Sequence, residues 1–467
     1  MAFGETHELL KPVDFSGRPF HFIGIGGIGM SGIAHILAKK GLTVTGSDIA
    51  PNRITRQLEQ LGVRIFQGHE LQNINVAAQP QVVCSSAIHP HNVELQTALT
   101  HNLPVLHRSD VLAALMAQSH SIAVAGTHGK TTTSSLIGFL LLQAGLDPTI
   151  VVGGEVDTWE GNARLGQSQY LVAEADESDG SLVRFAPQIG VVTNIELDHP
   201  DHYSSLEQVI ATFQHFGRQC ETLVACVDCH NVRAHLPATI TYGLEQAADY
   251  TARQIHYRAE GTLAEVWERG QPQGIIQLRI LGKHNLLNTL AAIAVARHLG
   301  VSWQVITAAL PLFAGAKRRF EWKGSYNGIT FIDDYAHHPS EIRATLTSAK
   351  LHRQHQIVAI FQPHRYSRTQ ALLQEFAQAF ADADRVVITD IYGAGESNTF
   401  NISGADVAAA VAKMHPCVSY QPRLSDVQAF LLKCLSPGDL ALFLGAGNLN
   451  QIITPTLEAM ARAGARV

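Results

Sequence analysis

The chain has 467 residues, which at ~150 residues per domain predicts about three domains with separate cores and excludes a single small fold. Hydrophobic residues make up 46% and charged residues 16%, usage that excludes a disordered chain. Net charge is -6 and no basic run exceeds Lys317-Arg318-Arg319, so the charge pattern of a duplex-binding protein is missing and nucleic acid is not an expected partner.

Short runs of aliphatic and β-branched residues recur along the chain, each followed by a turn and a longer helix-like segment. In order they are Phe20 to Gly24, Leu42 to Thr45, Ser121 to Ala125, Tyr170 to Ala173, Gly190 to Thr193, Gln356 to Phe361, Arg385 to Thr389 and Leu440 to Leu444. Near-continuous apolar strands alternating with helices predict buried parallel sheets, hence an α/β fold. The runs fall into three groups: residues 18 to 117, a second from the strand before Gly126 to the helix Asn285–Leu299, and a third from about Ile329. Thr241 to Arg279 alternates polar and apolar residues, predicting antiparallel strands at a sheet edge.

No stretch approaches the ~18 consecutive apolar residues of a membrane span, so membrane insertion is not expected. Glu5, His7, Glu8 and Lys11 precede any apolar run, unlike a secretory signal, and six cysteines are too few for a disulfide framework; both predict a cytoplasmic protein. Cys226-Val-Asp-Cys229-His230 matches the haem-attachment pattern, but without an export signal it reads as a chance match in a strand-to-turn segment.

Two glycine-rich loops follow strands and open helices. In the first, Gly24-Ile-Gly26-Gly27-Ile-Gly29-Met30, the glycines permit a tight turn, and the helix N-terminus favours a pyrophosphate; Asp48 follows on the next strand. The physics is met by a dinucleotide or by any diphosphate-bearing ligand, a nucleotide sugar included. In the second, Gly126-Thr127-His128-Gly129-Lys130-Thr131-Thr132 ends like a Walker A loop, although the first glycine of that pattern would fall at Val124. The shorter loop keeps the mechanics: backbone N–H groups cradle phosphate, Lys130 lies against its oxygens, and the Thr131 hydroxyl can join a Mg²⁺ shell. Two phosphate loops imply two phosphorylated ligands and disfavour a dehydrogenase.

Beyond two further strands lie Glu174-Ala-Asp176-Glu177-Ser178-Asp179 and Asn194-Ile-Glu196-Leu-Asp198-His199-Pro-Asp201-His202, at the carboxyl ends where ligands bind in open parallel sheets. Carboxylates there suit Mg²⁺. A zinc site in Asp198 to His202 is the weaker reading, since no further clustered ligand accompanies it. His284-Asn285, Arg318-Arg319, Asp333-Asp334-Tyr335-Ala-His337-His338 and His364-Arg365 with Arg368 form a second set. An arginine fork suits phosphate oxygens and charge on a transferring phosphoryl group.

Taken together, these motifs resemble the Mur ligase family over residues 21 to 369, with Gly445-Ala-Gly-Asn448 extending the likeness. The resemblance implies three domains: a Rossmann-like domain binding a UDP-sugar (1 to 117), a central P-loop-type ATPase domain (118 to 320) and a Rossmann-like C-terminal domain binding an amino acid (321 to 467). It implies an ATP-dependent carboxylate-amine ligase of peptidoglycan precursor synthesis, using ATP and Mg²⁺ to join L-alanine to UDP-N-acetylmuramate through an acyl phosphate. A recycling ligase that attaches a murein tripeptide to the same sugar is the alternative.

Carried over residue by residue, the resemblance gives Gly24, Gly26, Gly27, Gly29, Met30 and Asp48 to the UDP-sugar. It gives Gly126, Thr127, His128, Gly129, Lys130, Thr131 and Thr132, with His284, Asn285 and Asp334, to ATP. Thr131, Glu174 and His199 would serve Mg²⁺, and Arg319, preferred over Arg318, the γ-phosphate. The catalytic set is then Lys130, Glu174, His199 and Arg319. Tyr335, His337, Arg365 and Arg368 would orient L-alanine. Several relatives use a carbamylated lysine near a second metal; here no lysine occurs between Lys130 and Lys283, and the alanine-adding branch is itself expected to do without it.

Overall fold

A computed structural model describes residues 11–50, 52–352 and 355–464. Three sheets appear, each built on the buried apolar runs seen in the sequence. The first holds β1 (Phe20–Ile23), β2 (Val44–Asp48), β3 (Arg64–Gln67), β4 (Gln81–Cys84) and β5 (Val105–His107), all parallel, in the order β3-β2-β1-β4-β5. β1 is fully buried because it is the central strand, and the order reverses beside it, which opens a crevice beyond its carboxyl end where Gly24 begins the glycine-rich loop.

The second sheet contains β6 (His120–Ala125), β7 (Thr149–Val156), β8 (Gly161–Arg164), β9 (Tyr170–Glu174), β10 (Ile189–Val192), β11 (Thr222–Cys226) and β12 (Ile240–Tyr242), in the order β12-β11-β10-β6-β9-β7-β8. β6 lies between parallel β9 and β10, and the Lys130 loop leaves its carboxyl end. The segment predicted to be antiparallel begins later than expected. β12 is still parallel to β11, and the meander is β13 (Tyr250–Arg258), β14 (Gly261–Glu268) and β15 (Gln271–Leu278).

The third sheet comprises β16 (Glu321–Tyr326), β17 (Ile329–Asp334), β18 (Ile357–Phe361), β19 (Arg385–Ile388), β20 (Val418–Tyr420) and β21 (Leu440–Leu444), in the order β16-β17-β21-β18-β19-β20. Only β16 runs antiparallel, an edge strand whose half-polar sequence carries no apolar run. Phe361, Phe376, Phe380 and Leu442 pack in the core on one side of this sheet, and Phe331, Phe443 and Ile453 in that on the other.

By contact the chain forms two compact units. One comprises residues 1–195, 210–249 and 291–306, the other 196–209, 250–290 and 307–467. Within the first, the helix Ile28–Lys39 packs on the β7–β8 hairpin: Asn162 Nδ2 donates to Ile28 O at 2.6 Å, and Gly32 leaves room for Val151 and Asn162. Among the described residues, no helix is long and apolar enough to cross a membrane.

Candidate functional site

In the first unit the glycine-rich loop is wound tightly against β2. Gly24 and Ile25 donate their N–H groups to Ser47 O at 2.8 and 3.0 Å, and Asp48 Oδ2 accepts from Gly26 N at 2.9 Å. A Cβ at Gly26 would lie 2.8 Å from that carboxylate, so the glycine is required by this close approach. Gly27 caps the helix Ile28–Lys39, placing Gly29 and Met30 in its first turn, where Met30 N donates to Gly27 O at 3.0 Å. Asp48, expected beside the ligand, holds the loop as well.

The second loop connects β6 to the helix Lys130–Gln143, capped by Gly129 in left-handed conformation (φ 83°). Gly126 adopts φ 139°, and any side chain there would collide with Thr193 Oγ1. Asn194 braces the loop, its backbone carbonyl accepting from Thr127 N at 3.0 Å and its Oδ1 from His128 N at 2.8 Å. Asn194 Nδ2 and Thr193 Oγ1 both donate to His128 O. The sequence placed Asn194 in a motif without giving it a task; it shapes the second glycine-rich loop.

Lys130 bends back over this loop. Its Nζ donates to Gly126 O at 2.7 Å, Thr127 O at 3.2 Å and both Glu177 oxygens at 2.8 and 3.0 Å. Burial by itself would push the ammonium's pKa down; Glu177, Asp176 and Glu174 outweigh it and raise the value, so Lys130 is cationic. Glu177 as its counter-ion was not foreseen. Thr131 Oγ1 donates to Glu174 Oε2 at 2.8 Å, and Gly153 N donates to the same oxygen at 2.8 Å. A hydroxyl and a fixed carboxylate side by side are hard oxygen donors that fit Mg²⁺.

The second unit gathers the other set. His199 has a left-handed backbone (φ 54°), with Nε2 3.7 Å from Asp198 Oδ2. Asp198 binds Arg368 through two oxygens, at 2.8 Å to Nε and 3.3 Å to Nη2, with both side chains under 5% exposed. Although burial raises its pKa, Arg368 holds the Asp198 carboxyl well below the usual range. Arg368 Nη1 also donates to His364 Nδ1 at 3.3 Å, and the His364 ring stacks on Tyr392 at 5.7 Å. Arg365 is half-buried, with Nη1 donating to Asp201 at 2.7 Å and Glu396 at 3.2 Å.

Asp334 and Tyr335 close β17. The Asp334 carboxylate accepts from Phe320 N at 2.7 Å and Ala336 N at 2.8 Å, and burial raises its pKa to about 6 against the opposing charge of Arg319. Arg318 is committed to Asp333 and the carbonyls of Gly445 and Gly447; among the described residues Arg319 has an ion pair only at 3.9 Å, with Glu341. That difference favours Arg319 as the arginine able to move to a ligand. The Tyr335 ring lies 5.0 and 5.2 Å from the two guanidinium carbons. His337 Nδ1 is 3.0 Å from Tyr335 O, and burial lowers the ring's pKa to about 3. Burial, and then Arg319, lowers His284 to about 4; both imidazoles are neutral at pH 7. Asn285 donates to Leu281 O at 2.8 Å and accepts from Asn288 at 3.3 Å.

Family models match along the chain: "Mur ligase family, catalytic domain" over residues 19–120, "Mur ligase middle domain" over 124–296 and "Mur ligase, glutamate ligase domain" over 318–447. The chain is 59% identical to UDP-N-acetylmuramate--L-alanine ligase of Nostoc punctiforme, covering 97% of this chain and 98% of that protein. It is 61% identical to the protein of that name from Thermosynechococcus vestitus, covering 94% and 95%. Among solved structures, UDP-N-acetylmuramate-alanine ligase from Thermotoga maritima superposes with a TM-score of 0.81 at 29% identity, over 96% of this chain and 99% of that one. A murein peptide ligase from Psychrobacter arcticus gives 0.72 at 26%, over 95% and 99%. With three α/β domains in this order, and two glycine-rich loops leaving the central strands of successive sheets, the chain belongs to the Mur ligase family.

Proposed function

We propose that the protein joins L-alanine to UDP-N-acetylmuramate at the expense of ATP, in peptidoglycan precursor synthesis. The observation that carries the reading is the presence of two separate glycine-rich strand-to-helix loops in one compact unit, one of them with a largely buried, cationic Lys130. Identity of 59 to 61% to L-alanine ligases over nearly the whole chain favours alanine over a tripeptide, as does the higher superposition score of the alanine ligase than of the peptide ligase. Residues 1–117 take the UDP-sugar, 118–320 ATP and 321–467 the amino acid. Six free cysteines suit a reducing cytoplasm.

In the first step the lactoyl carboxylate attacks the γ-phosphorus of ATP, the bond to the β-bridging oxygen breaks, and ADP leaves. The product is an acyl phosphate, whose acyl carbon is a far better electrophile than a carboxylate. In the second, the neutral amine of L-alanine attacks that carbon; phosphate departs, a proton is lost to solvent, and an amide remains. Two anions must approach in step one, so cationic stabilisation dominates the barrier. Lys130 exchanges Glu177 for phosphate oxygens, and Arg319 takes the γ-phosphoryl charge. Thr131, Glu174 and His199 would hold Mg²⁺, which when bound would neutralise charge on the phosphates. His284, Asn285 and Asp334 bind the nucleoside. Neutral His337 and Tyr335 orient the alanine amine, while Arg365, at the exposed end of its ion pairs, receives the carboxylate and Arg368 holds that wall in place through Asp198.

The test is phosphate release from ATP with UDP-N-acetylmuramate, comparing L-alanine, glycine, L-serine and the murein tripeptide. Turnover greatest with L-alanine is expected. Turnover greatest with the tripeptide would assign the recycling activity, and none with any acceptor would end the ligase reading.

A further inference from the structure

The acidic turn after β9 lies between the two phosphate loops of the first unit, and one arginine grips it from the sugar-nucleotide side. Arg108, which opens the helix Arg108–Ala117, donates from Nη2 to Asp176 Oδ2 at 3.1 Å and to Asp179 Oδ2 at 3.2 Å. Its Nη1 and Cδ come within 3.6 and 3.7 Å of the Cβ position of Gly29, so the guanidinium lies against the helix turn that follows the glycine-rich loop. His107 Nε2, 3.4 Å from Asp179, and the Ser86 hydroxyl at 3.3 Å complete this side. On the other side Glu177 holds Lys130, and Asp176 is the second-largest source of the negative potential that keeps Lys130 charged. A guanidinium with only 16% of its side chain exposed thus borders both loops through one short acidic segment.

We propose that Arg108 is a positioning residue that couples the two nucleotide sites. An anionic group of the sugar nucleotide arriving at Gly24 to Gly29 competes with Asp176 and Asp179 for the same fork, since guanidinium binds phosphate and carboxylate oxygens with the same geometry. When the fork turns to the ligand, the acidic turn loses its anchor, Glu177 gives up Lys130 more readily, and the ammonium is left to the phosphates of ATP. Each nucleotide therefore tightens the other, and by thermodynamic reciprocity by the same factor. This inference rests on the two-nucleotide reading above.

Calorimetric titration of UDP-N-acetylmuramate, with and without a saturating non-hydrolysable ATP analogue and Mg²⁺ and without L-alanine, tests it. For the unaltered protein the Kd is expected to fall about tenfold with the analogue present, within the usual range of coupling between sites. In Arg108→Gln the factor falls below about twofold, each ligand still binding alone and the sugar nucleotide more weakly; Arg108→Lys, which keeps the cation without the fork, recovers part of it. Asp179→Asn attacks the same contact from the acidic side, should also lessen the coupling, and decides the matter if Arg108→Gln does not fold. An unaltered protein without coupling, or coupling undiminished in these variants, overturns the inference. Failure of either ligand to bind the unaltered protein overturns the two-nucleotide reading instead.

Discussion

Replacing Asp198 by Asn isolates a deeply buried ion pair of the second unit. Arg368 is 2% exposed and Asp198 4%, with contacts at 2.8 and 3.3 Å, so neutralising the carboxylate strands a guanidinium away from water. Breaking such a pair from one side costs roughly 3–5 kcal/mol, and because asparagine retains one oxygen acceptor for Arg368 Nε, the lower end, about 3 kcal/mol, applies. For a unit of this size that lowers the melting midpoint by about 6–12 °C. Scanning calorimetry at pH 7.5 measures it, with Arg368→Gln and the double variant closing a cycle whose coupling should exceed about 1 kcal/mol. A shift under about 2 °C would refute the assignment of a strong buried pair. The pH dependence carries the same sign: the folded value of Asp198 is depressed, so its contribution is present above the unfolded value of 3.8 and lost as pH falls further.

Lys130→Ala should abolish amide synthesis while leaving binding of UDP-N-acetylmuramate largely intact, since the two loops leave different sheets; turnover above a hundredth of normal would remove Lys130 from its role. Arg319→Ala should lower kcat by roughly 10² or more with a small change in ATP affinity, whereas Arg318→Ala, which frees Asp333 and two carbonyls, should show first as a lower melting temperature. His284 and His337 have folded values near 4 and 3, below the unfolded 6.5, so their contribution is complete above 6.5 and is lost on acidification between 6.5 and those values. At pH 5 each should cost about 2 kcal/mol, and His284→Asn or His337→Asn should flatten the melting temperature against pH over that window. Gly126→Ala should be destabilised by more than about 2 kcal/mol, through its positive φ and the collision with Thr193, and an unchanged melt would contradict the loop geometry.

The parts of the fold that were legible in the sequence are those where burial on both faces produces a continuous apolar run. β1, β6, β18 and β21 were located that way to within a residue or two. β16 and the β7–β8 hairpin were not read, because edge strands are half-solvated and Gly153 and Gly154 interrupt the hairpin's pattern. At the site, the phosphate loops were visible because glycine, lysine and threonine are forced into fixed spacing by a short turn. The partners that hold the charged side chains were not. Glu177 is 47 positions from Lys130, and Asp198 is 170 from Arg368, distances over which spacing carries no signal. Arg318 and Arg319 were equivalent as sequence, and only their different carbonyl and carboxylate partners separate them.

The central claim, that a carboxylate is activated by phosphorylation, is tested most directly by the fate of its oxygens. With UDP-N-acetylmuramate labelled with ¹⁸O in the lactoyl carboxylate, the oxygen that attacks phosphorus must leave with it when the amine displaces phosphate. One labelled oxygen is expected in each phosphate released, with the other retained in the amide. Unlabelled phosphate formed alongside product would contradict it.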